Sequence, residues 1–292
     1  MRRTGVFFQV KERRSIMIMR RAIIVAIFIV VALWSHAPFS APLSEESITE
    51  AQSVKIYTED FAPFNYMSDG GLTGAGAEMV RAMARRLGHN GNFEVLPWKR
   101  ALKIVKGVPG AAVFSMVRTA EREDEFKWVG PILITHGWLY KMTGSKLDIK
   151  ELDDARKVAA IGVQAGGAAE QFLRAQGFKN LAALYTPGNA LQLLANERID
   201  LWEASDLVME YQRKKYNFDL SDVEPAVNLG TYALYLAFSH QTPDFVIYPW
   251  KQALEEMHRD GTFAAIGRKY GMTVPDDGDD IAPAPEFEPM TR

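Results

Sequence analysis

Residues 113–131 read V-F-S-M-V-R-T-A-E-R-E-D-E-F-K-W-V-G-P, and this stretch decides how the fold is interpreted. A short apolar run ends at Ser115, and Thr119, a residue type typical of helix N-termini, follows four residues later. The pattern predicts a strand that leads through a turn into a helix with Arg122 in its first turn. A cation there opposes the helix macrodipole at a cost of about 0.3–1 kcal/mol, which a bound carboxylate would offset.

Arg122 is therefore the first candidate for a ligand-binding residue. A guanidinium presents two parallel donors that match a carboxylate, and the hydroxyl of Ser115 would supply a third donor. Glu121 and Glu123 flank the arginine, so a surface ion pair explains these residues equally well. The stretch alone leaves both interpretations open.

The N-terminal segment predicts secretion. Residues 22–34 form an uncharged apolar run of thirteen residues that follows Arg20 and Arg21. This is the pattern of a secretory signal peptide, since a membrane span needs about 20 apolar residues. We assign residues 1–41 to the signal, with Met17 or Met19 as alternative starts, and an uncleaved anchor is the alternative reading. We expect a periplasmic protein.

Composition excludes several classes of function. Removal of residues 1–41 lowers the formal net charge from −2 to about −8, and an acidic protein is a poor nucleic-acid binder. The chain has no cysteine, which excludes disulfides and thiol catalysis. Its five histidines are scattered without the spacing of metal ligands. We expect no cofactor, no metal site and no nucleic-acid partner.

Strand-like and helix-like patterns alternate from Ser53 onward, which predicts an α/β fold with largely parallel sheets. Residues 137–142 and 231–239 form two longer apolar strands, and the segment between them has its own βα units. We therefore predict two lobes joined by two crossing strands. The first lobe comprises residues 53–141 and 232–273, and the second comprises residues 142–231. The acidic, proline-rich tail at 274–292 is expected to be disordered.

Six motifs in order resemble the extracellular solute-binding proteins of bacterial ABC importers, in the polar amino-acid branch called family 3. They run from about Ser53 to Gly271: Y57-T-E-D-F-A-P-F-N-Y with G71-L-T-G-A-G-A-E-M; P97-W-K-R-A-L-K-I-V-K-G; S115-M-V-R-T-A-E-R with F126-K-W-V-G-P-I; I161-G-V-Q-A-G-G-A-A-E; R198-I-D-L-W-E-A; and A237-F-S with D260-G-T-F-A-A-I-G-R-K-Y. The resemblance implies a type II periplasmic-binding-protein fold whose hinged lobes close around a small polar ligand.

The resemblance also implies site residues in the first lobe. Phe61 stands where family members pack an aromatic ring on the ligand, and Trp98 stands where an apolar side chain faces it, although a core role is as plausible. The carboxylate clamp of the family maps to Ser115 and Arg122. Val117 replaces a hydroxyl residue that is usual there.

In the second lobe, Gly166, Gly167 and Ala168 form a turn that opens a helix, where backbone N–H groups can bind an anion. An ordinary strand-to-helix turn is the alternative. Ala168 replaces the usual Thr or Ser, and the acidic residue that binds a ligand ammonium falls at Ser205. Glu203 and Asp206 flank that position, and one of them is expected to face the cleft. These departures disfavour a standard α-amino acid as the ligand.

The function implied is capture of a small polar or carboxylate-bearing solute and its delivery to the membrane permease of an ABC importer, by a monomer without catalysis. A sensory module for a membrane receptor is an alternative. A periplasmic dehydratase-like enzyme on the same fold is a further alternative, with an acid or base among Glu203, Asp206, Glu59 and Asp60.

Overall fold

The computed structural model describes residues 43–185 and 187–272. The predicted signal peptide and the predicted disordered tail lie outside the described residues. The strands are β1 Lys55–Thr58, β2 Tyr66–Ser68, β3 Gly71–Thr73, β4 Phe93–Val95, β5 Ala111–Val117, β6 Phe126–Met142, β7 Ile161–Gln164, β8 Leu181–Leu184, β9 Leu201–Ser205 and β10 Val223–Ser239. The α-helices are α1 Glu45–Ser53, α2 Ala75–Leu87, α3 Trp98–Gly107, α4 Ala168–Ala175, α5 Ala190–Ala195, α6 Asp206–Tyr216, α7 Asp244–Arg259 and α8 Thr262–Lys269.

Eight of these strands form one sheet in the order β4-β1-β5-β10-β6-β9-β7-β8. The pairings at both ends are parallel, between β1 and its neighbours β4 and β5 and between β7 and its neighbours β8 and β9. Helices alternate with these parallel strands along the chain, because a parallel connection requires a crossover segment. The predicted α/β class with helix-flanked, largely parallel strands is confirmed.

Two long strands lie at the centre of the sheet. β6 and β10 each span seventeen residues and pair antiparallel over their whole length, from Val223 opposite Met142 to Ser239 opposite Phe126. They are much longer than the crossing segments predicted at 137–142 and 231–239, because the two strands stay paired with each other beyond those segments, while β10 also pairs with β5 and β6 with β9. The proposed lobe boundaries fall within or at the end of these strands and remain a prediction.

The helices bury apolar faces against the sheet. Met79, Val80, Met83 and Leu87 of α2 recur at the spacing of one helix face and are buried. Gly88 ends this helix in the left-handed conformation, and its N–H donates to the carbonyls of Ala84 and Arg85. None of the helices in residues 43–272 that the structure describes is long and apolar enough to cross a membrane.

The segment around Arg122 differs from the expectation. Residues Ala120–Glu125 form a 3-10 helix of six residues instead of an α-helix, and Thr119 precedes it without a side-chain capping bond. A short 3-10 helix carries little macrodipole, so the predicted electrostatic penalty on Arg122 does not apply. Arg122 remains a candidate ligand-binding residue because its guanidinium is buried.

Candidate functional site

A cavity of about 60 Å³ lies where the central strands meet the ends of the parallel strands. Its lining combines two acidic side chains, one arginine and a set of aromatic and small residues: Glu59, Phe61, Phe64, Trp98, Ser115, Val117, Arg122, Thr135, Gln164, Gly167, Ala168, Ala169, Leu184, Trp202, Glu203, Ala204, Ser205, Val208, Tyr232 and Leu234. A wider cleft of about 420 Å³ shares Glu59, Phe61, Trp98 and Val208 with it. The cavity therefore adjoins an open cleft.

The structure brings most of the predicted site residues together. Those that line the cavity are Phe61, Trp98, Ser115, Val117, Arg122, Gly167, Ala168 and Glu203. They come from segments both before and after residue 142, so the two predicted lobes both contribute to one cavity. Gly166 and Asp206 do not line it.

Arg122 is buried, with 2% of its surface exposed. Its Nη1 donates to the carbonyl of Val117 at 3.0 Å, and its Nη2 donates to the carbonyl of Gly166 at 3.1 Å. Its Nε is buried without a hydrogen-bond partner. Burial lowers the pKa of Arg122 to about 10, although Glu125, Glu121 and Glu59 oppose that shift. The guanidinium remains charged at neutral pH and lies at the cavity wall.

The carbonyl of Gly166 accepts a second hydrogen bond, from Nε1 of Trp98 at 3.0 Å. The guanidinium of Arg122 also lies 5.9 Å from the centre of the Trp98 ring, within the range of a cation–π contact. Phe61 packs 5.1 Å from Phe64, centre to centre. The aromatic side of the cavity is therefore fixed by packing and by bonds to one carbonyl.

Ser115 lies at a β-bulge. Between the pairs Met116–Tyr235 and Val113–Ala237, two residues of β5 face one residue of β10. Ser115 adopts a φ of 61°, which is unfavourable for a residue with a side chain, and bulges beside functional sites redirect side chains. Its Oγ is buried without a partner and lines the cavity. A side chain on Gly76 would overlap this hydroxyl, so the glycine makes room for it.

Glu59 is the first of two cavity carboxylates. It is 8% exposed, and its Oε2 accepts a hydrogen bond of 2.6 Å from Nε2 of Gln164. Nδ2 of Asn65 donates to the backbone carbonyl of Glu59 at 2.6 Å, which fixes the loop. Burial raises the pKa of Glu59 to about 8, against the opposing effects of Gln164 and Arg122. Glu59 is therefore largely protonated at neutral pH.

Glu203 is the second cavity carboxylate. Its Oε1 accepts a hydrogen bond of 2.9 Å from the hydroxyl of Tyr232, and burial raises its pKa to about 7. Asp206 instead accepts hydrogen bonds from the Thr135 hydroxyl and from the N–H of Leu207. It also lies 3.4 Å from Nδ1 of His136. Of the two acidic residues that the sequence offered, only Glu203 lies in the cavity lining.

The Gly166–Ala168 turn is less available to an anion than the sequence suggested. The N–H of Gly166 donates to Oε2 of Glu170 at 2.5 Å, and the N–H of Gly167 donates to the carbonyl of Gln164 at 2.9 Å. Glu170 also pairs with Arg174. A carboxylate of the chain itself thus satisfies the first donor of this turn.

Sequence reasoning missed Gln164, Thr135 and Tyr232 as cavity residues. Gln164 ends a parallel strand, where polar side chains commonly face a ligand crevice, and this position was an available signal. Thr135 and Tyr232 lie opposite each other in long central strands. No local pattern marks them, because only the order of strands brings Tyr232 to Glu203 and places Thr135 in the same lining. In the described residues, no cluster of three His, Asp or Glu side chains is placed to hold a metal ion.

Two parallel strand groups joined by a long antiparallel pair, with a polar cavity beside that pair, define the periplasmic-binding-protein fold. Residues 54–273 match the bacterial extracellular solute-binding proteins, family 3, and the chain belongs to that family. It is accordingly a solute-binding protein. Comparison with curated proteins gave no match.

Solved structures with the same fold have varied roles. A histidine kinase sensor domain with similarity to periplasmic binding proteins is 20% identical, with a TM-score of 0.68, over 76% of this chain and 98% of that chain. An ancestral arginine-binding protein bound to arginine is 22% identical, with a TM-score of 0.65, over 75% and 97% of the two chains. A substrate-binding protein of an ABC uptake transporter from Streptococcus pneumoniae with bound histidine is 18% identical, with a TM-score of 0.67, over 77% and 95%. At these identities the likeness establishes the fold.

Proposed function

We propose that this protein captures a small carboxylate-bearing, amino-acid-like solute in the cavity and delivers it to the permease of an ABC importer. The observation that carries the proposal is the buried guanidinium of Arg122 at the cavity wall. The buried, unpartnered hydroxyl of Ser115 belongs to the same cavity lining. A carboxylate is the ligand group that this pair of donors fits.

Electrostatics supports a bound anion. Among the described residues, Arg122 donates only to backbone carbonyls and forms no ion pair. Glu125 and Glu121 act electrostatically on the guanidinium without forming an ion pair with it, and an anion in the cavity would give this buried charge a direct partner. Glu59, the cavity carboxylate that acts electrostatically on Arg122, is largely protonated at neutral pH and neutralises little of its charge.

Hinge closure is the proposed mechanism. Residues from both predicted lobes line the cavity, so a ligand completes its contacts only when the lobes are closed. Its differential affinity for the closed state then shifts the conformational equilibrium. The long strands β6 and β10 connect the lobes and are the proposed hinge.

Secretion and transport complete the proposal. The apolar run at 22–34 is the basis for export to the periplasm, where the protein would act as a monomer, without a catalytic step or a cofactor. A sensory role is the second candidate, because one of the similar structures is a histidine kinase sensor domain. Binding of the purified protein to membranes that contain the partner permease, and stimulation of its ATPase, would favour transport over sensing.

A thermal-shift screen tests the binding function. Purified protein is heated with amino acids, amines and small carboxylates, and a ligand at 100 times its dissociation constant adds about 2.7 kcal/mol to the free energy of unfolding. We expect stabilisation by carboxylate-bearing solutes in the wild type and in Arg118→Ala, and its loss in Arg122→Ala. Arg118 is a matched control, since it belongs to the same segment but pairs with Glu123. Equal stabilisation of both variants would contradict the proposal.

A further inference from the structure

The cavity at Arg122 is too small to enclose a whole ligand of ordinary size. Its volume is about 60 Å³, whereas small-molecule sites in proteins usually span about 300–1,000 Å³. A cavity needs about 10–15 Å³ for each water molecule, so this one holds a carboxylate group and few further atoms. The adjoining cleft of about 420 Å³ shares Glu59, Phe61, Trp98 and Val208 with it. A ligand whose carboxylate reaches Arg122 therefore extends into the cleft.

Aromatic rings are prominent in the walls of this cleft. The lining residues that carry a ring are Phe61, Tyr66, Trp98, Tyr185 and Tyr211. Tyr185 is 75% exposed, and Met67 in the same lining is 56% exposed. Large apolar side chains that are exposed within a concave site are typical of surfaces that bind a ligand. A flat, apolar part of a ligand would cover this exposed surface.

Contacts between the two predicted lobes hold three of these side chains in place. Tyr66 of β2 and Tyr211 of α6 lie 5.5 Å apart, centre to centre. Nζ of Lys99, in α3, lies 5.0 Å from the centre of the Tyr185 ring. In each pair the first residue belongs to the first predicted lobe and the second residue to the other lobe. The rings are therefore positioned where the lobes meet, beside the mouth of the cavity.

The charges in the cleft favour a neutral ligand group. Aromatic faces bind cations as well as other rings, but the ammonium of Lys99 already lies over the ring of Tyr185. Asp60 and Lys215 line the cleft with opposite charges, so its walls match neither sign. Glu59, the other acidic residue of the lining, is largely protonated at neutral pH. An uncharged ring fits these walls better than a second charged group does.

We propose that the ligand is an aryl-substituted carboxylate, with its carboxylate at Arg122 and its uncharged ring in the cleft against Tyr66, Tyr185 and Tyr211. The inference rests on the proposed function and specifies its ligand class. Aromatic rings pack on one another in offset or edge-to-face arrangements with centres about 4.5–7 Å apart, and the cleft offers several rings for such a contact. Tyr185 and Tyr211 are the specificity-determining residues.

Isothermal titration calorimetry with three matched acids tests this inference. The probes are 4-phenylbutyrate, 4-cyclohexylbutyrate, which has a saturated ring of similar size, and butyrate, which has no ring. We expect 4-phenylbutyrate to bind at least tenfold more tightly than butyrate and at least threefold more tightly than the cyclohexyl acid.

Variants of the cleft locate the ring. Tyr185→Ala and Tyr211→Ala should each reduce the preference for 4-phenylbutyrate at least threefold, while the affinity for butyrate is retained. Because Tyr185 is largely exposed, its truncation should leave the fold intact. Tyr248→Ala is the matched control, since this tyrosine is 41% exposed and lies outside the cleft lining, and it should change neither affinity.

The outcomes separate this inference from the proposed function. Equal binding of 4-phenylbutyrate and butyrate, equal binding of the two ring-bearing acids, or a preference that is unchanged in both cleft variants would overturn the ligand class. Binding of amino acids in the thermal-shift screen, with none of the three probes bound, would also overturn the ligand class alone. Absence of binding by every carboxylate, those of the screen included, would contradict the proposed function as well.

Discussion

The guanidinium Nη2 of Arg122 donates a hydrogen bond of 3.1 Å to the backbone carbonyl of Gly166, forty-four residues further along the chain. The same carbonyl accepts Nε1 of Trp98 at 3.0 Å. Two side chains from the segment before β6 are thus bound to one turn beyond it. This shared acceptor connects Arg122, the candidate ligand-binding residue, to the turn that precedes α4.

Trp98→Phe should remove one of these two bonds while the aromatic ring over Arg122 is kept. We expect the free energy of unfolding to fall by about 0.5–1.5 kcal/mol for the lost hydrogen bond, plus a smaller loss from packing. Urea unfolding followed by far-UV circular dichroism measures the change. Trp128→Phe is the control, because its Nε1 makes only a long, exposed bond of 3.5 Å to Glu123. Equal losses in both variants would contradict a specific role for the Gly166 carbonyl.

Arg122→Ala should weaken binding of a carboxylate ligand by about 2–5 kcal/mol, the range for truncating one member of a desolvated charge pair. Calorimetric titration with the best ligand of the screen measures this loss. Arg122→Lys should recover only part of it, because an ammonium lacks the planar fork of a guanidinium. An Arg122→Ala variant that binds with unchanged affinity would remove this residue from the site.

Ser115→Gly should reduce ligand affinity without a matching loss of stability. The left-handed backbone costs a residue with a side chain about 1–2 kcal/mol, and glycine avoids that cost. Ser115→Ala lacks the hydroxyl but keeps the strain, so the glycine variant should be about 1 kcal/mol more stable than the alanine variant. Thermal and urea unfolding of the two variants, with parallel titrations, test this. A less stable glycine variant would show that the bulge is not strained.

Gly137→Ala should displace the Tyr232 ring, because the added methyl group overlaps it. We expect a loss of about 1–3 kcal/mol in the free energy of unfolding and weaker ligand binding, since the displaced ring lines the cavity. Gly107→Ala is a matched control, since its added carbon would meet no atom within 4 Å. The two variants are compared by urea unfolding and calorimetry, and similar behaviour would count against the role of Gly137.

The raised pKa of Glu59 predicts that the free energy of unfolding depends on pH. The folded protein retains this proton up to about pH 8, whereas the unfolded chain releases it near pH 4.5. Between these values the folded state binds more protons, so the free energy of unfolding falls as the pH rises. The contribution is fully present below about pH 4.5 and is lost as the pH rises through 8, on the order of 5 kcal/mol at about 1.36 kcal/mol per pKa unit.

Urea unfolding of the wild type and of Glu59→Gln between pH 5 and pH 9 checks this expectation. The variant cannot ionise at this position, so its stability should fall less steeply with pH than that of the wild type. Part of the decline should persist in the variant, because the pKa of Glu203 is also raised. Parallel pH profiles of the two proteins would contradict the assignment to Glu59.

The alternation of strands and helices was predictable because each element carries its own periodicity. The buried face of α2 at Met79, Val80 and Met83 follows from the spacing of apolar residues, and the βα order predicts parallel strands. The helix expected at Arg122 was wrong in type: the segment is a short 3-10 helix, and the Arg122 side chain donates to the nearby carbonyl of Val117 and to the distant carbonyl of Gly166. Local propensity carries no information about those partners.

The candidate site also has a part that the sequence predicts and a part that only the tertiary structure shows. The sequence by itself determined the α/β fold and singled out Arg122 and Ser115, since residue type and spacing already indicate which groups suit a carboxylate. Only the tertiary structure shows that Glu203 and not Asp206 lines the cavity, and that Tyr232 passes over Gly137 to reach Glu203. The physical reason is that these contacts depend on which strands are neighbours. Strand order is fixed by packing of the whole chain and has no signature in any one segment.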